Sequence, residues 1–223
     1  MIISHSHRFA FISTMKCATN SLTQALIRDF DGVMPGGLHE RRMELVPAGY
    51  FTFSVCRNPY TRAISLWWST CMRNALDRYG FRQACADPDT LGGFMQWVNG
   101  LRTVPHELLL TQSQWHRDTR VDRFLKIEDL DAEFAALPFA RPGASLGLLN
   151  ATTTEQQGIM DLQRLQAGDG DLAFSTRPQR RRSAARDYLT PGAVEAVRAW
   201  AAEDFDRFGY SRDPQVVVDI ALE

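Results

Sequence analysis

The 223-residue sequence predicts an α/β fold: a mostly parallel central sheet with helices on both faces, in a three-layer α/β/α arrangement. Three observations carry that prediction. Apolar runs of strand length, Phe9–Ile12, Tyr50–Cys56 and Val121–Ile127, alternate with segments of helical period. The first two runs each end in a short polar turn that opens directly onto a helix. A well-capped amphipathic helix then closes the chain, with Thr190 before it, Pro191 as its first residue and Gly209 after it.

Phe9-Ala10-Phe11-Ile12 is an apolar run bounded by small polar residues, as in a buried parallel strand. Leu22, Ala25, Leu26 and Phe30 then fall at i, i+3, i+4 and i+8, one face of a helix starting near Thr19 to Ser21. Between them lies Lys16-Cys17-Ala18-Thr19-Asn20-Ser21. A helix start here presents unpartnered backbone N–H groups and the positive end of the helix dipole. Lys16, Thr19 and Ser21 add a cation and hydroxyl donors, the chemistry of a phosphate or sulfate site. Strand, polar turn and helix are also ordinary α/β punctuation, so the turn alone decides nothing. A second observation favours the site: of 25 basic residues only Lys16 and Lys126 are lysine, and one of the two stands in this turn.

Glycines and prolines from Asp31 to Gly49 indicate a loop, with one short helix near His39–Val46 that can lie over the first strand's carboxyl end. After the aromatic and β-branched strand Tyr50–Cys56, Arg57 stands at the strand end, Asn58 is a helix cap and Pro59 a first helical residue. Arg62 and Ser65 follow three apart on that helix. The segment to Arg102 reads as helical, with breaks at Asp87-Pro88 and Gly92-Gly93. Its Trp67, Trp68, Phe81, Phe94 and Trp97 suit core packing or substrate contact. The third strand leads to Glu128-Asp129-Leu130 and a short helix. Arg177, Arg180, Arg181, Arg182 and Arg186 crowd a polar stretch that reads as a solvated loop or as a cationic lid. In the last helix Val194, Val197, Ala201, Phe205 and Phe208 share one face. Ligands of such sheets bind at the strands' carboxyl ends, where both turns lie. Two anion-friendly turns at one edge suit a ligand with two separated anionic groups.

Composition narrows the classes. At 44% hydrophobic and 23% charged the chain is an ordinary globular one, of a size for a single domain over 1–223. A net charge of −1 argues against a general nucleic-acid or membrane-surface binder, so any anion site is local. No apolar run approaches about 18 residues and no leader pattern opens the chain, which together predict a cytoplasmic protein without an integral membrane segment. Cys17, Cys56, Cys71 and Cys85 form no C-x-x-C pair, and reduced thiols are expected. Neither they nor His5 and His7 have zinc-ligand spacing.

With these residues in view, the chain resembles the nucleotide-dependent sulfotransferases, in particular the carbohydrate-type group related to Golgi and bacterial polysaccharide enzymes. Lys16-Cys17-Ala18-Thr19-Asn20-Ser21-Leu22 is similar to the family's 5′-phosphosulfate loop, PKxGTTSL, with Met15, Ala18 and Asn20 as departures. Arg57-Asn58-Pro59-Tyr60-Thr61-Arg62-Ala63-Ile64-Ser65 is similar to its 3′-phosphate motif, RDPxxRxxS. Phe124–Leu130 and Glu203–Tyr210 resemble two later signatures, in the family's order. The resemblance implies a P-loop-like nucleotide-binding core. It also implies the donor 3′-phosphoadenosine 5′-phosphosulfate, the product adenosine 3′,5′-bisphosphate, and a hydroxyl-bearing saccharide or glycoconjugate acceptor, without a metal. Lys16 through Ser21 would hold the 5′ end, Lys16 neutralising the leaving oxygen, and Arg57 and Ser65 the 3′-phosphate. His39, between the two motifs, is the expected catalytic base, with Glu40 second and His116 third. Trp67, Trp68, Trp97 and Trp115 are compatible with sugar stacking or with core. A P-loop kinase is the nearest competing enzyme, but GxxxxGK[ST] is absent. A non-catalytic adenosine bisphosphate-binding protein is the other alternative.

Overall fold

The computed structural model describes residues 1–72, 79–140 and 185–217, apart from the side chains of Asn20, Ser21 and Arg186. Of the arginine-rich stretch, Arg177, Arg180, Arg181 and Arg182 therefore lie outside the described residues, and Arg186 is described in its backbone alone, at the 3-10 turn Ala185–Tyr188. Five strands, β1 (Ile2–Ser4), β2 (Phe9–Phe11), β3 (Gly32–Val33), β4 (Phe51–Cys56) and β5 (Arg123–Lys126), form one mixed sheet in the order β3-β1-β2-β4-β5. β2, β4 and β5 run parallel, with Phe9 opposite Phe51 and Val55 opposite Leu125. β1 is antiparallel to both its neighbours. The expected parallel order thus holds in the half of the sheet that carries both turns, and the other half corrects it. β1 escapes sequence reading because its link to β2, His5 to Arg8, contains no glycine or asparagine. Arg8 itself takes the left-handed conformation there, φ 53°.

Eight helices are described: α1 (Thr19–Asp29), α2 (Pro59–Trp67), α3 (Phe81–Ala84), α4 (Leu91–Gly100), α5 (Gln112–Trp115), α6 (Leu130–Ala135), α7 (Pro191–Trp200) and α8 (Ala202–Phe208). α2 runs on into a π-helical turn, Trp68–Met72. The helix expected over His39–Val46 shrinks to a 3-10 turn at Met43–Leu45. The expected break at Gly92-Gly93 is instead the first turn of α4, where a side chain at Gly93 would collide with Asp87. The single helix expected after Pro191 is two, parted at Ala201, yet the predicted face of Val194, Val197, Ala201, Phe205 and Phe208 is buried.

Alternation along the strands explains the packing. Phe9, Phe11, Phe53, Val55 and Leu125 face Leu22, Ala25 and Leu26 of α1 and Leu130 and Phe134 of α6. Each such fully buried side chain contributes about 1.5–3 kcal/mol relative to exposure. Ile3, Ala10 and Ile12 point the other way, against Met43, Leu45, Val46 and Tyr50. A separate cluster joins α2, α4, α7 and α8, with Met15 and Trp68 packed on its margin. Trp67, Phe81 and Phe94 are buried in it and Trp97 packs against it, so the aromatic residues of this segment are core. No disulfide joins the four cysteines, and no helix among the described residues is long and apolar enough to cross a membrane.

Candidate functional site

Both predicted turns open at the carboxyl ends of adjacent parallel strands, β2 and β4. The second follows local rules. Asn58 accepts a hydrogen bond from the Tyr60 N–H at 2.9 Å, and Pro59 occupies the first helical position. The Glu128 carboxylate, carried in after β5, accepts from the Asn58 N–H at 2.8 Å, and Tyr210 donates to its other oxygen at 2.8 Å. A carboxylate at the start of α2 complements the helix dipole.

The first turn is built differently. Lys16 (φ 67°) and Ala18 (φ 49°) are left-handed although neither is glycine, while Cys17 between them is not. Alternation of this kind turns successive backbone N–H groups toward one concavity, the nest geometry that receives anions. The N-cap residue of α1, Ala18, makes no side-chain cap, so the N–H groups of the first turn are offered to that concavity. The Cys17 and Thr19 side chains shape the turn from within. Thr19 Oγ1 donates to the Thr14 carbonyl at 2.7 Å, and the buried Cys17 thiol donates to Gln112 Oε1 at 3.3 Å. Burial pushes that thiol up to about 11, against the lowering influence of Arg62 and Arg57.

The two turns meet. Arg57 Nη1 donates to the Lys16 carbonyl at 3.2 Å, while its Nε donates to Thr61 Oγ1 at 3.0 Å. Ser65, two turns further along α2, is half-exposed. Gln112, whose stretch Gln112–His116 reads from sequence as acceptor binding or packing, holds the turns in register. Its Oε1 accepts from both Cys17 Sγ and the Arg57 N–H (2.8 Å), and its Nε2 donates to the Arg57 carbonyl at 2.9 Å. Fully buried Asp204 in turn accepts from Gln112 N–H, Gln112 Nε2 and the Ser113 N–H at 2.9, 3.2 and 2.7 Å. One sequence signal existed: Thr111 and Gln114 form a capping box that makes Gln112 the first residue of α5.

The three base candidates separate cleanly. His39 lies beside the first turn, its Nδ1 3.1 Å from Ser13 Oγ. Ser13 gives its hydroxyl hydrogen to the Leu38 carbonyl at 2.6 Å, so Nδ1 must be the donor to Ser13 and Nε2 carries the basic lone pair. Burial lowers His39 to about 4, with the Met1 amino group and then Lys16 pushing the same way, and the ring is neutral at pH 7. Glu40 is instead engaged by Arg42. The Arg42 guanidinium and the backbone N–H groups of Arg41 and Arg42 hold its carboxyl down to about 2. His116 is buried between the strands and β5. Its Nε2 lies 2.7 Å from Thr14 Oγ1 and 3.2 Å from Ser54 Oγ, and its Nδ1 2.9 Å from Thr119 Oγ1. Burial lowers it to about 3, so it is a neutral strut with both nitrogens engaged. Trp115, compatible from sequence with sugar stacking, is also buried, with Nε1 donating to the Ser13 carbonyl at 3.0 Å and Arg41 over its ring.

Beside Ala18 opens a cavity of about 260 Å³, lined by Ile127, Glu128, Asp129, Leu130, Asp131 and Ala132. No protein-family model, no curated protein and no solved structure matches the chain.

Proposed function

We propose that this protein is a sulfotransferase with a three-layer, P-loop-like core. It would transfer the sulfuryl group of 3′-phosphoadenosine 5′-phosphosulfate to a hydroxyl of a saccharide or glycoconjugate. The observation that carries the reading is the contact between the turns, with Arg57 Nη1 3.2 Å from the Lys16 carbonyl, which lets one ligand touch both. The donor groups fit a doubly anionic nucleotide: a left-handed backbone nest, an uncapped helix start, Lys16 and the Arg57 fork. The acidic lining of the cavity beside Ala18 would repel phosphate, and so suits an uncharged part of the ligand.

When bound, the donor supplies an activated sulfuryl group. Lys16 and the N–H groups at the start of α1 hold the 5′-phosphosulfate, and Arg57 and Ser65 hold the 3′-phosphate. His39 Nε2 takes the acceptor's hydroxyl proton as that oxygen bonds to sulfur. Lys16 neutralises the bridging oxygen, which keeps the electron pair of the breaking S–O bond and departs with adenosine 3′,5′-bisphosphate. In the free protein His39 is a weak base, chiefly through burial, and a bound anion would offset only the smallest of the three causes, Lys16. The transfer parallels phosphoryl transfer, in which positioning and charge stabilisation do most of the catalysis.

Mass spectrometry of saccharide panels incubated with isotopically labelled donor tests the reading, with a sulfated product expected. Binding of adenosine 3′,5′-bisphosphate without a sulfated product from any acceptor would favour a nucleotide-binding protein without catalysis. Phosphorylated product from ATP and magnesium would favour a kinase.

A further inference from the structure

Arg62, one turn into α2, has 1% of its surface exposed. Its Nε donates to the Met15 carbonyl at 3.2 Å and its Nη2 to the Leu110 carbonyl at 2.9 Å, and its guanidinium carbon stands 5.2 Å from the centre of the Trp200 ring. Among the described residues its Nη1 has no hydrogen-bond partner and no carboxylate forms an ion pair with it. The fully buried carboxylate of Asp204 accepts three N–H bonds from Gln112 and Ser113 instead. A buried guanidinium held by neutral carbonyls alone is costly, because desolvation is not balanced by an opposite charge. If Arg62 served only to brace Met15 and Leu110, a neutral donor would do so at lower cost.

We propose that Arg62 is the buried cation of an anion site at the turn before α1. With no carboxylate among the described residues paired to it, it leaves that place to the incoming phosphosulfate. The inference rests on the anion-binding part of the sulfotransferase reading, and not on the transfer step. Arg62 lies directly beneath the turn through its bond to Met15, and its field reaches Cys17 within the nest. A charge in a site shielded from water acts over several ångströms with little screening, so contact with the anion is not required. Arg62 is thus a positioning residue for charge, while Lys16 and Arg57 touch the ligand.

The test compares Arg62→Lys, Arg62→Gln and Arg62→Met, using calorimetry with inorganic pyrophosphate and with adenosine 3′,5′-bisphosphate, beside the thermal midpoint of each unliganded variant. Loss of the charge is expected to weaken both ligands by about tenfold or more in the Gln and Met variants, and several-fold less in Lys. The unliganded midpoints of Gln and Met should fall no further than that of Lys. Pyrophosphate affinity within about twofold of wild type in Arg62→Gln would overturn the proposal, as would affinity losses that follow the midpoints across all three variants. Should none of them fold, the Arg62 Nε–H resonance of the wild-type protein decides: it shifts on titration with pyrophosphate, or the proposal fails. Wild-type protein that binds pyrophosphate but not the bisphosphate would refute the sulfotransferase reading and leave Arg62 standing.

Discussion

The turn after β4 and the turn after β2 face the same edge of the sheet and are made in opposite ways. The second is assembled from local preferences: an asparagine cap, a proline at the first helical position and a carboxylate on the helix start. The first goes against local preference, with lysine and alanine in left-handed backbone and a helix start whose N-cap residue makes no side-chain cap. Residues remote in sequence hold it in that shape: Gln112 on Cys17, Arg57 on the Lys16 carbonyl and Arg62 on the Met15 carbonyl. The difference marks the first turn as the strained one, which is the turn that the proposed function places at the transferred group. Backbone strain of this kind costs about 1–3 kcal/mol per residue and persists where the surroundings over-determine it, as they do at functional sites.

The largest effect expected is on turnover. Lys16→Ala should lower it by about 10²–10³-fold with a smaller change in nucleotide affinity, because in the proposed mechanism the lysine acts on charge that develops only as the donor breaks. Arg57→Ala should instead weaken adenosine 3′,5′-bisphosphate by about tenfold or more, since in the same proposal its fork grips a charge already present in the ground state. Equal losses of affinity from both, with turnover intact, would erase the distinction between the turns.

Gln112→Ala comes next. It removes partners from Arg57 N–H and carbonyl and from Cys17, and should destabilise the protein by about 2–3 kcal/mol in urea unfolding. Combined with Lys16→Ala its effect on turnover should be less than additive, because both act through the first turn. Full additivity would mean that the turns are independent.

Acid should loosen the edge of the sheet beneath both turns. His39 and His116 are held neutral, at about 4 and about 3, against an ordinary value of 6.5. The unfolded chain therefore takes up protons first, and stability is lost as pH falls from about 6.5 toward those values. At the alkaline end burial raises Cys17 to about 11 and Cys56 to about 12, so stability present below pH 9 is lost as pH rises beyond it. Urea midpoints measured across pH should show both flanks, and His116→Gln should flatten most of the acid one.

The smallest effects are the sharpest test of the comparison, because they have opposite signs. Asn58→Ala should cost about 1 kcal/mol through loss of the cap. Ala18→Gly should stabilise by about 1 kcal/mol, since glycine adopts φ 49° without the steric penalty of a Cβ. Destabilisation by Ala18→Gly would remove the case for strain in the first turn.

Local pattern therefore went far with some elements and not with others. The strands after Arg8 and Gly49, the Thr19 start of α1, the Asn58-Pro59 start of α2 and the face from Val194 to Phe208 all follow from periodicity and capping chemistry within a few residues of each other. β1 and β3 do not: Ile2-Ile3-Ser4 and Gly32-Val33 lead into no helix-opening turn, and both owe their place to antiparallel pairing with neighbours. Likewise the sequence ranks His39, Glu40 and His116 as base candidates only by their position relative to the two motifs. Only the fold distinguished them, by closing Arg42 on Glu40, burying both His116 nitrogens, and directing His39 Nδ1 to Ser13.

By itself the sequence determined the kind of chain this is, α/β, and where two helices start against strand ends, since those depend on residues a few positions apart. Only the tertiary structure decided that the two turns touch, that Gln112 and Asp204 lock them, and that Arg62 lies beneath them with no counter-ion among the described residues. The physical reason is distance along the chain: residues 16, 57, 112 and 204 share one site only after the strands have paired, and no local propensity records that pairing.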